Sequence, residues 1–507
     1  MGSPAESTGS TCKHLLTLST YHAPLCKCSQ LSRAAGARYG MASLSTDTGH
    51  SSKSTNSTWA RNQPEKKVDW GWRAIHGSTV LGKKLVRAYY ARQRLTYSYY
   101  SGCSTGGRQG LKELQKFPDS FDGALIGAAA WWTSHLNTYV TQAGLYNLPE
   151  TDPKHLTDDD VALLADEITR QCDGLDGVED GIISSPELCQ PNLDTLLCPN
   201  PKRTTVPNSE PTPPKCLSRA QLTTAHNMYS DYRSATTNEF LHPGLTLGSE
   251  PQWHVLINGS EPSPYGVGYA RDFLFDSTAN HHANGTNASS WDWHTFNESV
   301  VQYAALHDPG QATADDYAAL AAVRKRGGKI LMYHGTGDGL VPTKGTELYY
   351  RRTVEALRAA GRGWWWWWWG PFLGRLGLGW GRHHGEGDDG GVDDFLSMFL
   401  VPGMQHCAGT AVDAPWNFGA ASQAGALGND TWSVPGFEDA KHDALLALVD
   451  WVEKGQRVEQ IVATTWEDPA NSTSGVKRQR PICSWPRRAV WDGRGNVDDA
   501  GSWWCSR

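Results

Sequence analysis

The sequence lacks any long hydrophobic run, and no apolar stretch approaches the roughly 20 residues that span a bilayer as a helix. Basic tracts are also missing, and the net charge of −7 is mildly acidic, so nucleic acid is not expected as a partner. The N-terminal stretch MGSPAESTGSTCKHLLTLST lacks the apolar segment of a signal peptide. What remains is a chain of 507 residues without a predicted membrane or nucleic-acid partner, long enough for a large core and two domains.

Cysteines and glycosylation sequons, by contrast, are plentiful. The chain has 11 cysteines. Asn-x-Ser/Thr sequons occur at Asn56, Asn258, Asn284, Asn287, Asn297, Asn429 and Asn471. Disulfides and N-linked glycans form in oxidising compartments, so these features predict a secreted protein.

Apolar segments and amphipathic stripes alternate along much of the chain. The pattern predicts strands over residues 40–46, 97–101, 123–127, 329–334 and 395–401. It predicts helices over 68–92, 106–116, 157–171 and 437–454, with Thr157 as an N-cap. Strands and helices in alternation indicate an α/β fold with a parallel, doubly covered sheet.

The presence or absence of alternating strand and helix patterns divides the chain into parts. The α/β pattern covers residues 31–132 and 319–507, and a long inserted region, residues 133–318, separates them with little sheet periodicity. Residues 1–30 match neither part. Residues 361–391 contain six consecutive tryptophans among many glycines and have neither a helix nor a strand period, so this segment is interpreted as an anomalous insert. A functional aromatic platform is the alternative.

The stretch YSYYSGCSTGGRQGL predicts a nucleophilic serine. It contains G-x-S-x-G, with Ser104 between Gly102 and Gly106, after a predicted strand and before a predicted helix. In such an elbow the N–H of Thr105 would point to where an oxyanion forms. An ordinary strand-to-helix turn is the alternative.

An activated serine needs a base and an orienting acid, in the chain order Ser, Asp, His for this type of elbow. Asp338 and His406 each follow a predicted strand and are the candidates for acid and base. Asp122 is the alternative acid, although it precedes a strand, and His334 is the alternative base.

Two cysteines adjoin these candidates, Cys103 before the serine and Cys407 after the histidine. If Ser104 and His406 are hydrogen-bonded, the Cα atoms of their neighbours would fall within the roughly 4.4–6.8 Å of a disulfide. Such a bridge would fix the nucleophile against the base. Two unrelated buried thiols are the alternative.

These residues resemble the tannase/feruloyl esterase family of secreted fungal and bacterial hydrolases. The matching pieces are STDTGHSS (45–52), DWGWRA (69–74), SGCSTGGRQG (101–110), CDGLDGVEDGI (172–182), GTGDGLVP (335–342), VDDF (392–395) and VPGMQHC (401–407). The resemblance implies an α/β-hydrolase core with a large lid formed by the inserted region, a Ser104–His406–Asp338 triad and the Cys103–Cys407 bridge. It also implies hydrolysis of feruloyl or galloyl esters. Lid aromatics around Trp131 and Trp132 are expected to stack on the phenolic acid, and core packing of these side chains is the alternative.

The resemblance further implies a structural calcium site in the inserted region. Its ligands would be side chains of Asp173, Asp176 and Asp180 and carbonyl groups of Val178 and Ile182, and hard oxygen ligands suit Ca²⁺. A solvated acidic turn is the alternative. The remaining disulfides expected on this basis are Cys172–Cys189, Cys198–Cys216 and Cys483–Cys505.

Two hypotheses follow. The first is a secreted serine carboxylesterase. The alternative is a catalytically impaired, calcium-stabilised protein that binds polyphenols or cell-wall esters, because residues 1–30 do not match the family's first strands, its signal peptide or the turn that gives a second oxyanion donor. The sequence leaves open the choice between galloyl and feruloyl substrates, the oligomeric state, and the pairing of Cys12, Cys26 and Cys28.

Overall fold

A computed structural model describes residues 15–20, 36–198, 215–276, 291–361, 392–427 and 433–506. The strands in these ranges are β1 (Leu15–Thr20), β2 (Ala42–Ser45), β3 (Tyr97–Cys103), β4 (Gly123–Gly127), β5 (Tyr232–Arg233), β6 (Phe240–His242), β7 (Lys329–Gly335), β8 (Leu396–Val401), β9 (Gln460–Asp468), β10 (Asn471–Cys483), β11 (Ala489–Trp491) and β12 (Trp503–Cys505). The α-helices are α1 (Pro64–Val68), α2 (Ala74–Tyr89), α3 (Thr105–Lys116), α4 (Thr133–Tyr146), α5 (Asp158–Cys172), α6 (Arg219–Tyr229), α7 (His254–Ile257), α8 (Pro264–Gly268), α9 (Glu298–His307), α10 (Leu320–Lys325), α11 (Thr343–Gly361), α12 (Gln423–Ala426) and α13 (Ala444–Lys454).

A parallel sheet of strand order β2-β1-β3-β4-β7-β8 forms the centre of the described residues. Strands β3, β4, β7 and β8 confirm the segments that the hydrophobic pattern predicts. Strand β1 comes from the N-terminal segment that matches no motif, and it pairs with β3 on one side and β2 on the other. The carboxyl ends of β1, β3, β7 and β8 therefore lie along one edge of the sheet.

Both faces of this sheet are buried, as the predicted doubly covered architecture requires. Neighbouring residues of one strand point to opposite faces. Tyr99 joins the apolar cluster that contains Trp451 of α13, whereas Tyr100 joins the cluster that contains Leu111 of α3 and Tyr349 of α11. Burial of each such large apolar side chain contributes about 1.5–3 kcal/mol to stability.

Between β4 and β7, the inserted region packs its helices around an apolar cluster of its own, which includes Tyr139, Leu222 and Trp253. The predicted cap of α5 is confirmed. Thr157 Oγ1 accepts a hydrogen bond from Asp160 N, and the Asp160 carboxylate accepts one from Thr157 N, so the pair forms a capping box.

Two predicted helices have different limits in the structure. The helix predicted over 68–92 is interrupted by a π-helical turn, Asp69–Arg73, before α2 begins. The helix predicted over 437–454 begins only at Ala444, because Asp443 accepts hydrogen bonds from the N–H groups of Leu445 and Leu446 and thereby caps it.

Some predictions lie outside the described residues. These are the environments of Cys12, Cys26 and Cys28 and the whole tryptophan-rich run. Within the described ranges, no helix combines the length and the apolar character that crossing a membrane requires.

Candidate active site

Ser104 lies in a sharp turn between β3 and α3, as predicted for a nucleophile elbow. Its backbone has φ 62° and ψ −123°, a conformation that L-residues rarely adopt outside functional sites. The turn is held on both sides, since Ser104 N donates to Gly127 O at 3.0 Å and Ser104 O accepts from Ala130 N at 3.1 Å.

Glycines permit the close approach that this turn requires. A Cβ atom on Gly102 would lie 2.8 Å from the backbone of Gly106, and one on Gly107 would lie 2.4 Å from Gly127 O. Any larger residue at either position would push α3 away from the sheet. The small flanks in the sequence motif are therefore a steric requirement.

The predicted acid and base are in contact. His406 Nδ1 lies 2.6 Å from Asp338 Oδ2, and the Asp338 side chain is fully buried while that of His406 is 14% exposed. Burial alone would raise the pKa of Asp338. The charge of His406 and hydrogen bonds from His334 and His406 outweigh it, so the pKa of this carboxyl lies well below its ordinary value. Asp338 is therefore a carboxylate at neutral pH.

The bridge between the two loops is present. Cys103 and Cys407 form a disulfide with Cα atoms 6.0 Å apart, which confirms the prediction from their positions beside Ser104 and His406. Ser104 and His406 line the same cavity. Among the hydrogen bonds of the described residues none joins the Ser104 hydroxyl to His406.

Two further side chains contact the predicted acid and base, and one of them, Gln252, was not predicted as a site residue. His334, the alternative base, lies 2.9 Å from Asp338 Oδ2 through Nε2 and is fully buried. Gln252, from the inserted region, accepts hydrogen bonds through Oε1 from Gly339 N at 3.0 Å and His406 N at 3.1 Å. Gln252 carries no local sequence signal, because both of its contacts join segments that are distant in the sequence.

The alternative acid Asp122 has a structural role. Its carboxylate accepts hydrogen bonds from Ser98 N at 2.7 Å and from Arg326 at 3.0 Å. It precedes β4 and therefore lies at the opposite edge of the sheet from Ser104. The contact with His406 Nδ1 at 2.6 Å therefore favours Asp338 over Asp122 as the candidate acid.

A cavity of about 950 Å³ opens at Ser104 and His406. Its aromatic wall consists of Trp59, Trp70 and Phe273, with ring centroids 5.1 Å apart for Trp70 and Phe273 and 5.3 Å apart for Trp59 and Phe273. His50 extends the wall by stacking on Trp59 at 3.7 Å. An aromatic ring of a ligand would find both apolar area and edge-to-face partners there.

The prediction that Trp131 and Trp132 contact the substrate is wrong. Trp131 is 2% exposed and donates through Nε1 to Gly345 O at 2.8 Å, within the core cluster of α11. Trp132 stacks on Trp131 with centroids 5.2 Å apart and lies under Arg352. Neither ring lines the cavity, because both pack against the apolar cluster that contains Tyr349 of α11.

Thr105 lines the cavity directly after the nucleophile, at the N-terminus of α3. Its role as an oxyanion donor stays a prediction. The carboxyl end of β1 adjoins that of β3, since Thr20 pairs with Gly102. The segment that follows β1 lies outside the described residues, so the second oxyanion donor stays a prediction.

The loop of the predicted calcium ligands is closed by its own hydrogen bonds. Asp173 accepts from Gly181 N and Ile182 N, and Asp176 Oδ1 accepts from Val178 N at 3.0 Å. Asp180 pairs with Arg478 and Arg480 of β10. In the described part of the chain no group of three or more His, Cys, Asp or Glu is arranged around a common metal position. Asp176 Oδ2 is buried without a hydrogen-bond partner of its own, although Ser184 interacts with the same carboxyl group.

The other three predicted disulfides are also present. Cys172 pairs with Cys189, and the remaining two bridges are Cys198–Cys216 and Cys483–Cys505. The first holds the end of α5 against the segment after the acidic loop. The last joins β10 to β12.

Comparison with known proteins places the chain among esterases. A family model described as tannase and feruloyl esterase matches residues 18–506. The match begins before residue 45, where the first of the sequence motifs starts. A probable feruloyl esterase B-2 of Neosartorya fischeri is 30% identical over 469 residues, which are 92% of this chain and 76% of the relative. A probable feruloyl esterase B of Aspergillus clavatus is 31% identical over 494 residues, which are 96% of this chain and 80% of the relative.

Solved structures agree. The crystal structure of feruloyl esterase B from Aspergillus oryzae superposes with a TM-score of 0.77 at 29% identity, covering 97% of this chain and 84% of that one. A tannin acyl hydrolase from Aspergillus niger superposes with a TM-score of 0.69 at 19% identity, covering 97% of this chain and 80% of that one. At this identity the similarity supports only a shared fold. The chain therefore belongs to the tannase and feruloyl esterase family of carboxylic ester hydrolases and has their α/β-hydrolase fold.

Proposed function

We propose that the chain hydrolyses esters of aromatic carboxylic acids, feruloyl or galloyl, through a Ser104–His406–Asp338 triad. The observation that carries this proposal is the joining of three loops at one edge of the sheet. The Cys103–Cys407 disulfide ties the serine turn to the histidine loop, and His406 Nδ1 lies 2.6 Å from Asp338. This is the arrangement in which a serine hydroxyl gains a base and the base an orienting acid.

The proposed reaction has two half-reactions. Ser104 Oγ attacks the ester carbonyl while His406 Nε2 takes the hydroxyl proton, and His406 then gives that proton to the departing alcohol as the ester C–O bond breaks. An acyl-serine remains. Water attacks it with His406 again as the base, which releases the acid and restores Ser104.

Asp338 stays ionised throughout. It holds the Nδ1–H tautomer of His406, so that Nε2 faces the serine, and it stabilises the imidazolium that forms during each attack. The N–H of Thr105 would donate to the oxyanion, where a single donor is worth about 10²–10³ in rate.

The aromatic wall supports an aromatic acyl group. Trp59, Trp70 and Phe273 form a face against which a phenolic ring would pack at one end of the cavity. The relatives of about 30% identity are named feruloyl esterases, whereas the tannin acyl hydrolase is only 19% identical, so a feruloyl ester is the first substrate to test.

The test is hydrolysis of methyl ferulate and methyl gallate by the chain and by Ser104→Ala. We expect Ser104→Ala to abolish turnover of the preferred ester while leaving the thermal unfolding midpoint unchanged. A folded chain that binds these esters without hydrolysing them would instead support the non-catalytic alternative. Equal turnover by Ser104→Ala would refute the assigned nucleophile.

We also propose that residues 173–182 bind Ca²⁺. Side chains of Asp173, Asp176 and Asp180 and carbonyls of Val178 and Ile182 would hold the ion, and the buried, unpartnered Asp176 Oδ2 supports this assignment. The contacts of Asp180 with Arg478 and Arg480 oppose it, because the guanidinium groups compete for the same carboxylate. The ion would have a structural role in the inserted region, since the loop does not line the cavity at Ser104.

Calorimetric titration of the EDTA-treated protein with CaCl₂, beside Asp176→Asn, tests this site. We expect binding heat and a higher unfolding midpoint for the wild type only. The same midpoint with EDTA and with CaCl₂, and no binding heat, would show that the arginines alone neutralise the loop.

Finally, we propose that the protein is secreted and glycosylated. Four disulfides among the described residues support an oxidising compartment. The sequon residues Asn56, Asn258, Asn297 and Asn471 are exposed, and Asn284, Asn287 and Asn429 lie outside the described residues. A fall in apparent mass after N-glycosidase treatment of protein from a eukaryotic secretion host would support the proposal, and an unchanged mass would contradict it.

A further inference from the structure

His334 is a buried imidazole that contacts the same oxygen of Asp338, Oδ2, as His406 does. It is the penultimate residue of β7, its side chain has no exposed area, and it does not line the cavity. Its Nε2 atom lies 2.9 Å from Asp338 Oδ2 and 3.0 Å from Val341 O. Its Nδ1 atom lies 2.7 Å from the hydroxyl of Thr346, in α11.

These contacts determine which nitrogen carries the proton. A carboxylate and a backbone carbonyl are both acceptors, so Nε2 must carry hydrogen to satisfy either of them. The Thr346 hydroxyl can donate to the lone pair of Nδ1. The surroundings therefore suit a neutral imidazole that donates through Nε2 toward Asp338.

With this donor, every acceptor position of the Asp338 carboxylate is filled. Oδ1 accepts from Leu340 N and Val341 N, each at 2.9 Å. Oδ2 accepts from His334 Nε2 at 2.9 Å and from His406 Nδ1 at 2.6 Å. A carboxylate offers about four lone-pair sites, so this one cannot rotate without losing hydrogen bonds at both oxygens.

We propose that His334 is a positioning residue for the hydrolysis, acting through Asp338 on His406; this inference rests on the proposed triad. By donating to Oδ2, His334 fixes the plane of the carboxylate against His406 Nδ1. It also takes up part of the negative charge that would otherwise act on His406 alone. It touches neither substrate nor the reacting atoms.

Loss of the His334 donor should also change how strongly the Asp338 charge acts on His406. The titratable groups that face His334 are Asp338 and, on α11, Glu347. His406 contacts the same oxygen of Asp338. Without the His334 donor, more of the Asp338 charge is directed at His406, which favours its protonated form. The base would then lose its proton at a higher pH.

The test measures kcat and KM for methyl ferulate across pH in the full chain and in His334→Phe, which keeps a ring of similar size without a donor. We expect kcat to fall on the order of 10- to 100-fold, because small misplacements of a catalytic group have effects of this size. KM should stay unchanged, and the acidic limb of kcat/KM should move to higher pH. His334→Gln, which retains an N–H donor, should recover part of kcat and of the limb position.

His242→Phe is the matched control. His242 is also buried, at 4% exposure, but it lies in the inserted region with its ring on Tyr139 at 4.8 Å and contacts no residue of the triad. We expect it to alter the unfolding midpoint without moving the acidic limb. If His334→Phe lowers kcat by the same factor at every pH, or not at all, the positioning role is refuted; if His334→Phe does not fold, His334→Gln decides on the same readouts.

A second readout does not depend on turnover. The proton between His406 Nδ1 and Asp338 should give a downfield NMR resonance that disappears in His406→Gln and shifts in His334→Phe. An unchanged resonance in His334→Phe would overturn the inference. Failure of the proposed function is separate from this, since it would appear as a wild type that hydrolyses neither ester.

Discussion

Removing the Cys103–Cys407 disulfide should cost both stability and catalysis, whereas removing another bridge should cost stability alone. The perturbation is the double substitution Cys103→Ala and Cys407→Ala. Both cysteines are buried, at 6% and 8% exposure, and alanine leaves the surrounding core without a new polar group. The matched control is Cys483→Ala with Cys505→Ala, far from the cavity and near the C-terminus.

The magnitudes follow from the lengths of the closed loops. The first bridge has a sequence separation of 304 and the control a separation of 22. With a loop entropy of about −2.1 − 1.5R ln n cal/mol/K, the two bridges are worth about 6 and about 3 kcal/mol at 25 °C. These are upper values, because the other disulfides already restrict the unfolded chain.

The catalytic loss has a different origin. Ser104 and Cys407 both have positive φ, at 62° and 67°, and such backbone costs on the order of 1–3 kcal/mol for each residue. The bridge joins these two strained turns directly. Without it, either turn can relax and move Ser104 relative to His406, and we expect kcat to fall on the order of 10²-fold.

The assays are urea unfolding followed by tryptophan fluorescence, and steady-state hydrolysis of methyl ferulate under conditions in which each variant is folded. The control pair should show a smaller loss of stability and an unchanged kcat. A folded Cys103→Ala/Cys407→Ala variant with wild-type kcat would refute the reasoning. So would a control variant that loses as much activity, because the loss would then be global.

Three further predictions concern Gln252, Trp59 and Asp443. Gln252→Ala leaves two N–H groups of the acid and base loops without an acceptor, so kcat should fall about 10-fold at constant KM; an unchanged kcat would contradict this. Trp59→Ala removes part of the aromatic wall and should raise KM for methyl ferulate about 10-fold, while the kcat for p-nitrophenyl acetate stays the same. Burial raises the pKa of Asp443 to about 6, above the unfolded value of about 3.9. Its contribution to stability is therefore complete below about pH 4 and is lost as pH rises through about 6, by up to about 3 kcal/mol. Asp443→Asn should flatten this decline in unfolding experiments, and an equally steep decline would exclude Asp443 as its source.

Much of the site could be predicted because its chemistry is encoded in short segments. The elbow needs small residues within a few positions of Ser104, and these are visible in the sequence itself. The bridge could be predicted for a related reason. A cysteine lies next to each catalytic candidate, so if the two candidates are close in space, the two cysteines must be close as well. The cap at Thr157 is local in the same sense, since donor and acceptor are three residues apart.

The central sheet was predictable in type but not in full. Strands β3, β4, β7 and β8 have buried apolar runs that a pattern detects. Strand β1 (LLTLST) is short and mixed, and it becomes a strand through pairing with β2 and β3 rather than through its own period. The π-helical turn at Asp69–Arg73 was missed because the same apolar stripe is compatible with a continuous helix.

The residues that sequence reasoning missed or misplaced depend on how distant segments meet. Trp131 and Trp132 follow the carboxyl end of β4, near the edge of the sheet where Ser104 lies, yet both rings pack against the apolar cluster that contains Tyr349 of α11. The wall is instead built by segments more than 200 residues apart in the sequence, since Trp59 meets Phe273 only after the inserted region folds back over the loop that follows β2. Gln252 reaches His406 through the same folding. The inserted region thus contacts the backbone of His406 and also forms part of the aromatic wall, so substitutions within it should alter turnover and substrate choice together.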